Sequence, residues 1–170
     1  IKAFFDFALK SSRKAFEIKA DLVFATSTPL TIALPGIYAA RRQKIPMVFE
    51  VRDLWPELPI AIGALKNPVL RFGARMLENW AYKNSSAIVT LSTGMKEGVV
   101  STGYPSENIA VIPNSSDNVE FAHNAVAAQQ FRRAKEWLGD KPLLVYTGTF
   151  GKVNGVDYMV HIASALLARE

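Results

Sequence analysis

Met47-Val48-Phe49-Glu50-Val51-Arg52-Asp53-Leu54-Trp55-Pro56-Glu57 is the stretch whose reading decides the fold. Residues 47–51 are apolar apart from Glu50, the composition of a strand buried in a sheet. Alternation along a strand sets Met47, Phe49 and Val51 on one face and Val48, Glu50 and Arg52 on the other. A charge inside a covered sheet is costly unless paired, and Glu50 and Arg52 share a side on which they can approach. Asp53 follows at the strand exit and Glu57 shortly after, so four ionisable residues fall within eight positions. Two readings stand. The charges form a structural ion pair that ties the loop down, or they meet a ligand. Open parallel sheets bind ligands outside the carboxyl ends of their strands, and functional groups favour such loops. Trp55-Pro56 has two readings as well, a rigid anchor for the loop and nothing more, or a part of the site.

Outward from this strand the pattern alternates. Residues 1–20 carry apolar groups at helical spacing. Residues 21–25 form a strand, and Thr28-Pro29 marks a helix start with proline at its first position. That helix runs toward Arg42, with Pro35-Gly36 kinking it or delaying its start. Asn67-Pro68 opens a further helix whose apolar stripe, Val69, Phe72, Met76, Leu77 and Trp80, is expected to face the core. Residues 87–91 form a strand, and Ser92 or Thr93 caps a short helix ending near Gly103. A strand at 109–112 stops at Pro113-Asn114.

Residues 115–125 are polar and read as a linker. A helix bearing Phe131, Ala134, Lys135 and Leu138 ends at Gly139, and 143–146 reads as a buried strand. Gly148 to Gly151 turns the chain, and Asn154 begins a helix with Asp157 at its third position. Strands that alternate with helices predict an α/β fold, a parallel Rossmann-like sheet with helices on both faces. The expected division is 1–115 and 116–170, two domains of which the second is barely begun.

The chain has 170 residues, of which 49% are hydrophobic, so it can bury a core, which excludes a disordered or collagen-like chain. Without cysteine it has no disulfide, thiolate metal site or cysteine nucleophile, a composition suited to a reducing compartment. No apolar run reaches the roughly 18–20 residues of a membrane span. Ile1-Lys2-Ala3-Phe4 does not open a signal peptide. With no initiator Met, and with both termini inside helical patterns, the chain reads as an internal piece. The net charge of +5 is already present in residues 1–44, which hold 8 Lys/Arg and 3 Asp/Glu. That asymmetry, with no recognition motif, argues against nucleic acid. Lys10, Arg13 and Lys14 on one side of the first helix, with Phe4, Phe5 and Phe16 on another, suit an anionic membrane surface; the alternative is that the aromatic side packs on the sheet.

Residues 49–57 resemble a signature of glycosyltransferase family 4, in the bacterial surface-polysaccharide branch typified by N-acetyl-L-fucosamine transferases. Ala25 to Pro29, Ala87 to Lys96, Ile109 to Asn114 and Tyr146 to Gly151 are similar to further segments of that family, in the same order. The resemblance implies the GT-B fold of two facing Rossmann-like domains, with residues 1–115 on the acceptor side and 116–170 opening the donor-binding domain. It implies a hexosyltransferase acting on a nucleotide sugar and a polyprenyl-diphosphate-linked or other saccharide acceptor. Retention of anomeric configuration, no cofactor and no metal are implied as well. The setting implied is cytoplasmic, peripheral to the inner membrane face, in lipopolysaccharide or exopolysaccharide biosynthesis.

Residue by residue, Arg52 falls where many relatives carry His. Arginine stays protonated and can orient groups or neutralise phosphate, but it cannot shuttle a proton. Asp53 is then the candidate for contact with an acceptor hydroxyl, with Glu50, Glu57 and Ser92 lining the cleft. Gly148 and Gly151 match the donor loop, where glycines let backbone N–H groups approach a diphosphate, and Thr149, Lys152 and Asn154 are the further donor-side candidates there. Thr149 and Asn154 stand where an Arg and a Lys are usual, and Lys152 is the nearby substitute or a solvated surface lysine. Asn114 is a turn residue. The family's first glycine loop falls before Ile1 and its two donor-holding acids beyond Glu170, so no turnover is expected of these residues alone. Two other classes stay open, a non-catalytic partner subunit and a GT-B nucleotide-sugar epimerase. His123 and His161 are too far apart for a metal pair, and His161 reads as an ordinary helix residue.

Overall fold

The computed structural model of the chain describes residues 2–27, 29–151 and 154–168, with the side chains of Lys2, Phe5 and Phe16 outside the description. It divides into two compact units, Ile1–Asn114 and Ser115–Glu170.

The first unit is a four-stranded parallel sheet flanked by helices, as the alternating pattern predicts. Its strands are β1 (Val23–Thr26), β2 (Met47–Val51), β3 (Ala87–Thr90) and β4 (Ile109–Val111), in spatial order β1-β2-β3-β4. Its helices are α1 (Lys2–Glu17), α2 (Ala33–Gln43), α3 (Glu57–Ala61), α4 (Pro68–Lys83) and α5 (Thr93–Ser101). Thr26 is in register with Glu50, Glu50 with Val89, and Val51 with Thr90, so the strand ends line up along one edge.

Because each strand lies beside the one before it, every crossover steps the same way. Right-handed connections then bring the linking helices to one face. That face carries Ala25, Met47, Phe49, Val51 and Ile88, all buried. Phe49 is fully buried, and its ring meets Tyr82 of α4 edge-on with centroids 6.2 Å apart. The bare backbone of Gly36 brings α2 down on β1 and β2: a Cβ there would stand 3.1 Å from both Ala25 Cβ and Met47 Sδ. The opposite face is more open, with Phe24 55% exposed.

Local chemistry explains the helix ends. The α2 helix begins at Ala33, after a 3-10 turn at Leu30–Ile32 that Pro29 precedes. Pro35 is tolerated because it lies in the first turn, where N–H groups have no intrahelical acceptor. The expected start at Thr28-Pro29 is therefore delayed; Thr28 itself lies outside the described residues. Asn67 caps α4 as its sequence predicts, its Oδ1 accepting from Val69 N (2.9 Å) and Leu70 N (3.3 Å), with proline next. Ser92 caps α5 by accepting from Met95 N at 3.3 Å.

One expectation for α4 holds for Leu77, which packs against the core, and is overturned for the start of the stripe. Val69, Phe72 and Met76 do not face the core: they are 74%, 66% and 58% exposed. The buried face is Glu78, Ala81 and Tyr82. Tyr82 reaches the sheet through Phe49, and that contact turns the opposite side of the helix outward.

The second unit contains α6 (Ala125–Arg133) and α7 (Asp157–Leu167). The α6 helix is capped by Asn124, whose Oδ1 accepts from Ala127 N at 3.0 Å, and it ends before the expected Gly139. Arg132 closes the following turns by donating to the carbonyls of Gly139 and Lys141, both at 3.0 Å. The strand expected at 143–146 is not formed: Leu144 and Val145 are 74% and 65% exposed. A strand needs a neighbour for its backbone groups, and the described residues of this unit contain no second strand.

Candidate functional site

The four strands keep sequence order, so among them there is no reversal point of the kind that opens a ligand crevice. Any site on this edge is therefore built by the loops after the strands. The loop after β2 is the one that is chemically rich and firmly held.

Its root is stitched to β1. Ser27 N donates to Glu50 O (2.8 Å), which extends the strand pairing by a residue. Arg52 N then donates to Ser27 Oγ at 3.0 Å, and Ser27 is 1% exposed. The backbone direction at Arg52 is thus set by a buried hydroxyl on the neighbouring strand. The Arg52 side chain is exposed and turns across the edge toward β4, where Nη2 donates to Asn114 Oδ1 at 3.5 Å. No Glu50–Arg52 ion pair forms, so the structural pairing weighed from the sequence is replaced by a side-chain contact with Asn114. Glu50 is half-buried on the open face of the sheet, beside Thr26 and Val89.

Further along, Asp53 is half-buried and Glu57 is exposed at the first turn of α3. Leu54 and Trp55 between them pack against the core. The Trp55-Pro56 peptide is cis. Ser92, at the end of β3, is exposed, and its hydroxyl is used as the α5 cap. Arg52 and Asn114 thus meet directly, Ser92 ends the strand between theirs, and Asp53 and Glu57 follow on the same loop.

A buried acid below this loop escaped the sequence reading. Glu78 is 3% exposed and accepts from Tyr82 Oη at 3.0 Å. Burial, and next the nearby Glu57 carboxylate, push its pKa up to about 7. Tyr82 is raised strongly by burial and by Glu78. A sequence signal existed: Glu78 is four residues from Tyr82 and on the side of α4 away from Val69. It was overridden by the apolar stripe on the other side.

In the second unit the expected donor loop folds on itself. Tyr146 Oη and Asn154 Nδ2 both donate to Thr149 O, at 3.1 and 2.6 Å. A Cβ on Gly148 would lie 2.8 Å from Tyr146 Oη, so glycine is what admits the phenol. The side-chain amide of Asn154 is used inside the loop, and the expected helix start there is corrected to Asp157. Gly155, at φ 55°, interrupts the helix in between. Gly151 is half-buried and its carbonyl accepts from Asn154 N at 3.0 Å, while Lys152 lies outside the described residues.

A family described as Glycosyl transferase 4-like domain matches residues 6–115. Crystal structures of HepE from Anabaena share the fold. The complex with UDP aligns at TM-score 0.57 and 18% identity, covering 78% of this chain and 33% of that one. The complex with UDP-glucose gives the same values. The complex with UDP and glucose aligns at TM-score 0.55 and 19% identity, covering 75% and 31%. The chain therefore spans about a third of the length of these structures. No curated protein sequence matches it.

Proposed function

The chain belongs to the glycosyl transferase 4-like family, and we propose that it contributes the acceptor-side wall of an enzyme moving a sugar from a nucleotide sugar to a lipid-linked saccharide in cell-surface polysaccharide synthesis. The observation that carries this reading is the loop after β2. It sets Arg52 and Asp53 at the carboxyl edge of the matched region, with Arg52 anchored through its backbone to buried Ser27. In that frame Arg52 stays cationic, so it neutralises an acceptor phosphate or orients a hydroxyl, and Asp53 accepts a hydrogen bond from the acceptor hydroxyl that attacks the sugar. Residues 116–170 begin the donor-binding half, with Gly148 to Asn154 as its diphosphate loop. That the HepE structures hold UDP and UDP-glucose supports a uridine-type nucleotide-sugar donor here. Retention of configuration, independence of metal and cofactor, and work at the inner membrane face complete the proposal.

The test is a titration of the chain with a short-chain polyprenyl-diphosphate-linked disaccharide, followed by tryptophan fluorescence. Saturable binding lost in both Arg52→Ala and Asp53→Ala, with folding intact, is the expected result. Binding unchanged in both variants removes the loop from the acceptor site. Turnover of UDP-sugars by the 170-residue chain alone would overturn the division into an acceptor half and a donor half.

A further inference from the structure

The amino edge of the sheet, opposite the loop after β2, holds a cavity of about 270 Å³ between α4 and the turn that joins α5 to β4. One wall is a single face of α4. Asn79, Tyr82 and Lys83 follow there at spacings of three and four, which align side chains on a helix. The other wall is the segment from Thr102 to Asn108, which Gly103 turns at φ 92°, a backbone conformation that favours glycine. Both walls are firmly held. Tyr104 Oη crosses between them to donate to Ser85 O at 3.0 Å. Its ring meets Tyr82 edge-on with centroids 6.5 Å apart, and Tyr82 is held in turn by Glu78 and Phe49.

The hydroxyls of the lining are already used. Ser85 Oγ donates to Ala81 O at 2.8 Å and Thr102 Oγ1 to Val99 O at 2.7 Å. Among the described residues, the side chains of Asn79, Lys83 and Asn108 make no hydrogen bond or ion pair. One ammonium and two carboxamides therefore line the same hollow unpaired, and its lining contains no acid. An ammonium meets an anionic group as a point charge. A carboxamide presents donor and acceptor side by side, which suits neighbouring hydroxyls. The tyrosine wall offers an apolar surface to a ring. The volume is at the small end for ligand cavities, so the occupant is a single small ring and not a nucleotide or an extended chain.

We propose that this cavity is a binding site for a small hydroxylated carboxylate, of the size and chemistry of a single uronic acid, with Lys83 on the carboxylate and Asn79 and Asn108 on the hydroxyls. It lies at the opposite edge of the sheet from Arg52 and Asp53, so it is separate from the acceptor wall and does not rest on that reading.

The experiment is a titration of the isotope-labelled 170-residue chain with glucuronate, with glucose and inorganic phosphate as comparison probes, followed by the side-chain amide signals of Asn79 and Asn108 in NMR spectra. Glucuronate is expected to shift both signals saturably. Glucose and phosphate should each bind about tenfold or more weakly, the scale of losing a charge-assisted hydrogen bond or the hydroxyl contacts. Lys83→Ala and Asn108→Ala should each weaken glucuronate by about tenfold, while Lys66→Ala, outside the cavity, leaves it unchanged. All three positions are exposed, and circular dichroism verifies the fold. No saturable shift, or wild-type affinity in both Lys83→Ala and Asn108→Ala, overturns the proposal. Glucose binding as tightly as glucuronate would mean that the cation plays no part, and phosphate doing so would reduce the cavity to an adventitious anion site; either result overturns it as well.

Discussion

Leu54 Cδ1 lies 2.8 Å from where a Cβ on Gly98 would stand, with Leu54 Cδ2 at 3.0 Å and Cγ at 3.5 Å. The loop that leaves β2 is therefore keyed to the bare backbone of α5, the helix that follows the next strand. Arg52 and Asp53 precede that key directly, so their position depends on a glycine far away in sequence.

Gly98→Ala is expected to displace the Leu54 side chain and loosen the loop while changing overall stability little. Alanine favours an inner helix position by roughly 0.5–1 kcal/mol, which offsets part of the cost of the collision. In a double-mutant cycle, Gly98→Ala should be well tolerated in a Leu54→Ala background. Purely additive thermal shifts in the cycle would mean that the two residues are not coupled.

Ser27→Ala removes the acceptor for Arg52 N inside a buried turn. Leaving that N–H unpaired should cost about 1–3 kcal/mol in urea unfolding. Ser27→Thr, which keeps a hydroxyl, should recover part of the loss. Faster hydrogen exchange at the Arg52 amide in Ser27→Ala is the local signature to measure.

Glu78 gives stability a pH dependence of known sign. Its folded pKa is raised from the model-peptide value of 4.5 to about 7 by burial and the Glu57 carboxylate. Between those values the folded state holds the proton that the unfolded state has released, so stability falls as pH rises and levels off above the folded value. The loss amounts to at most about 3 kcal/mol. Glu78→Gln should flatten that part of the profile in denaturant titrations from acid to mildly alkaline pH. Glu57→Gln should shift the end of the fall to lower pH, because it removes the second cause.

Lys44 ends α2 in the left-handed region at φ 57°. A side chain there costs about 1 kcal/mol that glycine avoids. Lys44→Gly should therefore raise the thermal midpoint, with no effect on acceptor binding. A lowered midpoint would mean that the lysine side chain makes up for its backbone.

The limits of sequence reading are clear from single elements. At β2 the apolar run, its alternation and its charged exit were all legible, because they follow from the period of an extended chain. The partner of Arg52 was not. Periodicity pairs Glu50 with Arg52, whereas the guanidinium reaches Asn114, sixty-two positions on, because β4 ends on the same edge. At 143–146 composition alone implied a strand, but pairing decides whether a strand forms.

By itself the sequence determined that this is an α/β chain with a parallel sheet, where its strands and most helix caps fall, and which family it resembles. Those properties are local, set by side-chain period and by hydrogen bonds within a few residues. Only the tertiary structure decided which side of α4 is buried, that Glu78 sits beneath the loop, and that Leu54 seats on Gly98. An apolar stripe records that a surface avoids water, not which neighbour it meets, and for Val69, Phe72 and Met76 that neighbour is not the core.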